Sequence, residues 1–162
     1  MRVFITVGAQ MPFDRLVEAV DRWAAERPEH QVRAQIGASA LRPGHLDWSA
    51  FLDPEDFEAE CARADAIVGH AGIGTLFSAM KHGKAVLVLP REAARRETRN
   101  DHQTATAKRF AAYDGVEIAW SADEVGPKLD GLAGRTVNAQ IGAVAGGPLI
   151  DALRAFIDRG RL

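Results

Sequence analysis

Between Asp65 and Gln103 the chain twice passes from an apolar run through a polar turn into an amphipathic segment. The first run, Ala66-Ile67-Val68, enters Gly69-His70-Ala71-Gly72-Ile73-Gly74-Thr75 and continues as Leu76-Phe77-Ser78-Ala79-Met80, which stops at Gly83. The second, Ala85-Val86-Leu87-Val88-Leu89, ends at Pro90 and an arginine-rich loop before Asn100-Asp101-His102-Gln103 opens another helix. Strand, turn and helix in succession predict an open parallel sheet, and such sheets bind ligands at the carboxyl ends of their strands. Glycines at such a turn let backbone N–H groups approach a ligand at a helix N-terminus, a place that favours phosphate. The same glycines fit a tight turn that needs them for geometry alone, and the turn by itself does not separate the two readings.

The remaining pattern extends the βα alternation. Val3 to Val7 reads as a strand buried on both faces and breaks at Gly8-Ala9-Gln10-Met11-Pro12. Phe13, Leu16, Val17, Val20, Trp23 and Ala24 then form one apolar stripe, with Asp14, Arg15, Glu18, Asp21 and Arg22 on the opposite face. Gln31 to Ile36 alternates weakly, which predicts a strand nearer the sheet edge. From Gly37 to Leu52 no period is visible, so this stretch is expected to be a loop folded over the sheet or a surface that faces a partner. Asp53-Pro54-Glu55-Asp56 has the composition of a helix start, with a capping side chain, proline at the first position and acids in the first turn. Val116 to Ala119 reads as a fifth strand, Ser121 to Glu124 as the start of a short helix, and Gly131 to Gly147 as a connector. A last helix, within 149–159, carries Leu149, Ile150, Leu153, Phe156 and Ile157 on one face. That face either packs on its own sheet or docks on a partner. The expected fold is therefore α/β, a Rossmann-like parallel sheet of about five strands flanked by helices, with residues 1–162 as one domain.

Composition narrows the function. The 162 residues suffice for one domain with a real core and fall short of two nucleotide-binding domains. A net charge of -2 with mixed signs supplies no basic face for nucleic acid. Cys61 is the lone cysteine, which excludes an internal disulfide and a cysteine-based zinc site. No apolar run approaches the roughly 18 to 20 residues that span a bilayer, so a cytoplasmic chain is expected, with any membrane association through a partner. The turn after Val68 is not a dinucleotide fingerprint, because Phe77 stands at the third glycine position, and Gly83-Lys84 lacks the remainder of a P-loop. His70, His82 and His102 have no metal-ligand spacing, and no metal is expected.

Gln103 heads an otherwise apolar stripe and needs a hydrogen-bond partner, with His102 beside it and His70 at the mouth of the glycine turn. Each histidine alone also fits a structural or surface role. Arg91, Arg95, Arg96 and Arg99 crowd one loop, either as anion ligands or as a solvated loop balanced by Glu92 and Glu97.

Together these stretches resemble a known family. Val7-Gly8-Ala9-Gln10-Met11-Pro12-Phe13-Asp14-Arg15-Leu16, His70-Ala71-Gly72-Ile73-Gly74-Thr75, Gly83-Lys84 and Arg99-Asn100-Asp101-His102-Gln103, in this order, are similar to the family 28 glycosyltransferase C-terminal domain. The likeness runs from Met1 to about Tyr113 and is nearest to the PssE-type subunit of two-component exopolysaccharide glycosyltransferases. It implies the donor-binding half of a GT-B enzyme, in which Gly8, Ala9 and Gln10 and the turn from His70, Ala71, Gly72, Ile73 and Gly74 to Thr75 face a nucleotide diphosphate. Asn100, Asp101, His102 and Gln103 would face the sugar. Where the lipid II enzyme has a ribose-binding glutamate this chain has Ser78, leaving Glu97 or a backbone group to replace it. The resemblance further implies an inverting transfer from a UDP-sugar without a cofactor or metal ion. Glucuronate is one candidate sugar, with Arg91 or a neighbouring arginine available to its carboxylate. The general base and the lipid-linked saccharide acceptor would come with a membrane-anchored, PssD-like partner subunit, the chain itself being peripheral to the inner membrane. A non-catalytic nucleotide-sugar-binding or regulatory module is the alternative.

Overall fold

The computed structural model describes residues 1–135 and residue 137. The helix expected within 149–159, its docking role and most of the expected connector at 131–147 lie outside the described residues. Six strands form one sheet: β1 (Arg2–Thr6), β2 (Gln31–Gln35), β3 (Asp47–Ser49), β4 (Ala66–His70), β5 (Ala85–Leu89) and β6 (Val116–Ile118). Their order is β3-β2-β1-β4-β5-β6, and every pairing is parallel.

Alternation along the strands divides the core into two layers. Val3, Ile5 and Val7 of the first strand and its exit point to one face with Val68, Leu87 and Leu89, where α1 (Asp14–Ala25) supplies Leu16, Val17, Val20 and Trp23. The short α5 (Val125–Asp130) covers the same face through Val125 and Leu129. Phe4, Ile67, Val86 and Val88 point to the other face, against α2 (Pro54–Arg63), α3 (Ile73–Lys81) and α4 (His102–Phe110). β1, β4 and β5 are apolar on both sides because helices cover both sides, as the unbroken runs required. Cys61 is fully buried in the second layer, and burial pushes its thiol up to about 12, so it is an inert packing group.

The sequence expectation is corrected at one edge. Residues within the expected loop Gly37–Leu52 form β3, which makes six strands and moves β2 one place in from the edge. The register comes from the neighbouring strand: Arg33 donates to Asp47 Oδ1 (3.0 Å) and Ser49 Oγ (2.7 Å), and the Ile36 amide donates to the Ser49 carbonyl (3.0 Å). Three residues without internal period carry no strand signal of their own. In the surrounding loop Leu46 is buried, Leu41 and Trp48 pack on one core layer and Leu52 on the other, and Phe51 stays exposed. The start of α2 agrees with expectation: Asp53 caps it, accepting from the Asp56 amide at 2.8 Å, with Pro54 as the first helical residue.

Candidate donor site

Strand order reverses between β1 and β4, since β1 leads outward to β2 while β4 leads the opposite way to β5. Loops leaving β1, β4 and β5 must therefore diverge from neighbouring points, opening a crevice. A hollow of about 710 Å³ lies there, lined by residues that include Gly8, Ala9, Gln10, His70, Asn100 and Gln103. Its size falls in the range of roughly 300 to 1,000 Å³ usual for small-ligand pockets.

Two glycines let the loops close around His70. A β-carbon on Gly8 would stand 2.9 Å from His70 Cε1, and one on Gly72 would collide with His70 Nε2. Gly8 also has φ +74°, a conformation costly for other residues. Thr75 Oγ1 lies 3.3 Å from His70 Nδ1, while its methyl fits over Gly69, where a β-carbon would come within 2.7 Å. The glycines of the turn thus permit the close packing of its loops around His70. Burial holds His70 well below the ordinary imidazole value, at about 4, and the nearby Arg91 charge adds to this, partly opposed by a hydrogen bond with the Thr6 backbone. The ring is neutral at pH 7.

Gly72 caps α3 without a side-chain hydrogen bond, and no acid stands in the first turn. Among the described residues, the amides of Ile73, Gly74 and Thr75 have no protein acceptor. Such an end carries a partial positive charge and free donors, which suit an anion.

The structure treats the sequence-predicted residues differently. Gly8, Ala9, Gln10, His70, Asn100 and Gln103 line the hollow together; Gln103 Oε1 accepts from the Arg91 amide at 3.1 Å, the partner its position required. Gly72 adjoins through the His70 ring, and Ile73 and Gly74 follow it at the helix end, whereas Ala71 and Thr75 are buried packing groups. Ser78 and His102 are not among the lining residues; Ser78 lies a turn further along α3, and His102 is exposed at the start of α4.

Arg91, Glu97 and Asp101 need a different account from the one the sequence suggested. Arg91 as a residue is only 4% exposed, and its guanidinium donates to the carbonyls of Val7 (2.6 Å), Met11 (2.7 Å), Pro12 (2.8 Å) and Glu97 (2.8 Å). Glu97 accepts from Arg15 Nε and Nη2, each at 2.8 Å, and from the Glu92 amide at 2.9 Å, while Arg15 Nη1 lies 3.2 Å from Glu92 Oε1. Asp101 Oδ1 accepts from the Ala93 amide at 2.9 Å. Arg91 and Glu97 also line the hollow, but most of the hydrogen-bonding capacity of these side chains is spent on building the loop after β5. Arg15, placed by its period on the solvent face of α1, was missed, as was Thr98 as a lining residue, whereas Arg99, one of the arginines weighed as anion ligands in this loop, does line the hollow. A partner 82 positions away leaves no local signal. Among the described residues no three of His, Cys, Asp and Glu converge as a metal site would require.

A parallel sheet with this strand order, its crevice between the first and fourth strands, has the fold of the C-terminal half of GT-B glycosyltransferases. The chain belongs to the glycosyltransferase family 28 C-terminal domain, whose model matches residues 2–130. It is 23% identical over 142 residues to the UDP-N-acetylglucosamine transferase subunit ALG13 of Yarrowia lipolytica, covering 78% of this chain and 68% of that one. The crystal structure of MurG from Acinetobacter baumannii superposes with a TM-score of 0.61 at 20% identity, over 96% of this chain and 49% of MurG. The solution structure of ALG13 superposes with a TM-score of 0.59 at 17% identity, over 94% of each chain. This chain spans about half the length of MurG, and 35% of the kitacinnamycin glycosyltransferase whose fold it also shares.

Proposed function

We propose that this chain is the donor-binding subunit of a two-component inverting glycosyltransferase, holding a UDP-sugar while a membrane-anchored subunit presents a lipid-linked saccharide. One observation carries the reading: the Gly8 loop, His70 and Gln103 line one hollow of nucleotide-sugar size at the strand-order reversal, and Gly72, at the uncapped start of α3, abuts the His70 ring. Free amides and a helix end would stabilise the negative charge that develops on departing UDP, as preorganised dipoles do. The neutral His70 ring would offer a hydrogen bond without repelling or neutralising a donor. The name of the ALG13 relative, a transferase subunit, supports a divided enzyme.

The nucleophile and its base belong to the partner on this reading. Glu97, the one carboxylate lining the hollow among the described residues, is already held by Arg15 and the Glu92 amide. No helix of the described residues is long and apolar enough to cross a membrane, so contact with a lipid-linked acceptor at the cytoplasmic face would come through that partner, in exopolysaccharide synthesis if the PssE-type resemblance extends to function. Glucuronate, from that resemblance, and N-acetylglucosamine, from the relative's name, are the sugars to test first.

Calorimetric titration with UDP, UDP-glucuronate and UDP-N-acetylglucosamine tests the donor site, and absence of all binding overturns it. Co-expression with the adjacent membrane subunit, followed by UDP release in the presence and absence of EDTA, tests the transfer. Release that needs both subunits and persists in EDTA is expected. Binding without release in any combination leaves the nucleotide-sugar-binding module, which the lack of a free carboxylate in the hollow would then favour.

A further inference from the structure

We infer that Arg91 is a positioning residue of this site: its guanidinium pins the loop after β1 at both ends, so that the tip carrying Ala9 and Gln10 is held over the hollow to receive a diphosphate. The inference rests on the donor-site reading above and assigns to it a group that need not touch the ligand. Val7 lies at the start of that loop and Met11 and Pro12 at its end, and one guanidinium takes the carbonyls of all three. The fourth carbonyl, of Glu97, ties the same cation to the loop after β5. Between the pinned points remain Gly8, Ala9 and Gln10, of which Ala9 and Gln10 are exposed. The amides of Ala9, Gln10 and Met11 have no protein acceptor among the described residues.

The chemistry of the cation argues that geometry is its purpose. A buried charge is costly unless well paired, and a carboxylate would be its usual partner. Glu97 is nearby, yet both its oxygens go to Arg15, and all four hydrogen bonds of Arg91 go to carbonyls. The ring of Phe13, 4.6 Å from the guanidinium carbon, closes one face. Glu97 thus balances the charge only through space, while the directed hydrogen bonds of the guanidinium are all spent on holding backbone carbonyls in place. Lysine would keep the charge, but three N–H donors on one nitrogen cannot reach carbonyls at both ends of a loop as a planar fork with five can.

Arg91→Lys tests this with UDP, UMP and uridine as probes. Wild-type binding of UDP is the control for the donor site itself, so failure of that reading shows in the wild type and failure of this inference only in the variants. UDP affinity is expected to fall by about tenfold or more, as loss of charge-assisted hydrogen bonds implies, with uridine affinity nearly unchanged and the UDP-to-UMP preference largely lost. Equal weakening for all three probes, or wild-type UDP affinity, would overturn the inference. Should Arg91→Lys fail to fold, one glycine inserted between Ala9 and Gln10 slackens the tip and leaves the cation in place. The same selective loss of diphosphate binding is expected, and unchanged UDP affinity in that variant would equally overturn it.

Discussion

The imidazole of His70 lies against the α-carbon of Gly8, with Cε1 2.9 Å from the point a β-carbon would occupy. The contact lies where β1 and β4, paired in register up to Thr6 and Gly69, open into their loops. Any side chain at Gly8 must push the ring away or lift the loop. Gly8→Ala also places alanine at φ +74°, a left-handed conformation that costs roughly 1 to 2 kcal/mol. Urea unfolding is expected to show a loss of about that size or more, and calorimetry a loss of UDP binding beyond tenfold. Unchanged UDP affinity in a folded Gly8→Ala protein would separate this contact from the donor site.

The same ring makes stability depend on pH. His70 is held at about 4 in the folded protein, against an ordinary 6.5, chiefly by burial and then by Arg91. Between those values the unfolded chain takes up a proton that the folded chain refuses. The contribution is therefore complete above pH 6.5 and is lost progressively as pH falls toward 4, on the order of 3 kcal/mol in total. Urea unfolding at pH 7.5 and 4.5 measures it: the loss on acidification should be smaller in His70→Gln than in wild type. Equal losses would show that other groups govern acid stability.

Arg15 and Glu97 join α1 to the loop after β5 with two hydrogen bonds of 2.8 Å, and their side chains are 14% and 11% exposed. An ion pair this sheltered and bidentate should couple more strongly than a surface pair, whose median is about 0 to 1 kcal/mol. A double-mutant cycle of Arg15→Met and Glu97→Gln is expected to give a coupling energy above roughly 1 kcal/mol in urea unfolding. Glu97→Gln alone should also loosen UDP binding, because the loop it anchors bears Asn100 and leads to Gln103. A coupling near zero would assign the loop's order to Arg91 alone.

Asp53 provides the contrast. Its carboxylate accepts from the Asp56 amide at 2.8 Å and caps α2, away from the hollow. Asp53→Ala should cost about 1 kcal/mol and leave UDP affinity unchanged. A fall in UDP affinity would place α2 in the machinery of the site.

Much of this protein was legible residue by residue. The apolar runs of β1, β4 and β5 identified strands covered on both faces, and Asp53-Pro54 marked the start of α2. The resemblance to family 28, carried by the Gly8 loop, the His70 turn and the Asn100 to Gln103 stretch, agrees with the family to which the chain belongs. β3 was illegible because its order is lent by Arg33 and by the ladder of β2. Arg91, Glu97 and Asp101 were legible as polar residues in the right loop, but their partners were not.

The sequence by itself determined the alternation of strands and helices, the points where only glycine permits close approach, and the presence of polar groups at strand ends. All of these are properties of neighbouring residues, set by side-chain period and backbone sterics. Tertiary structure alone decided which polar groups would face a ligand and which would be spent on the protein. That choice depends on which loops the strand order brings side by side. It set Arg15 against Glu97 and closed Arg91 beneath the loop that begins at Val7.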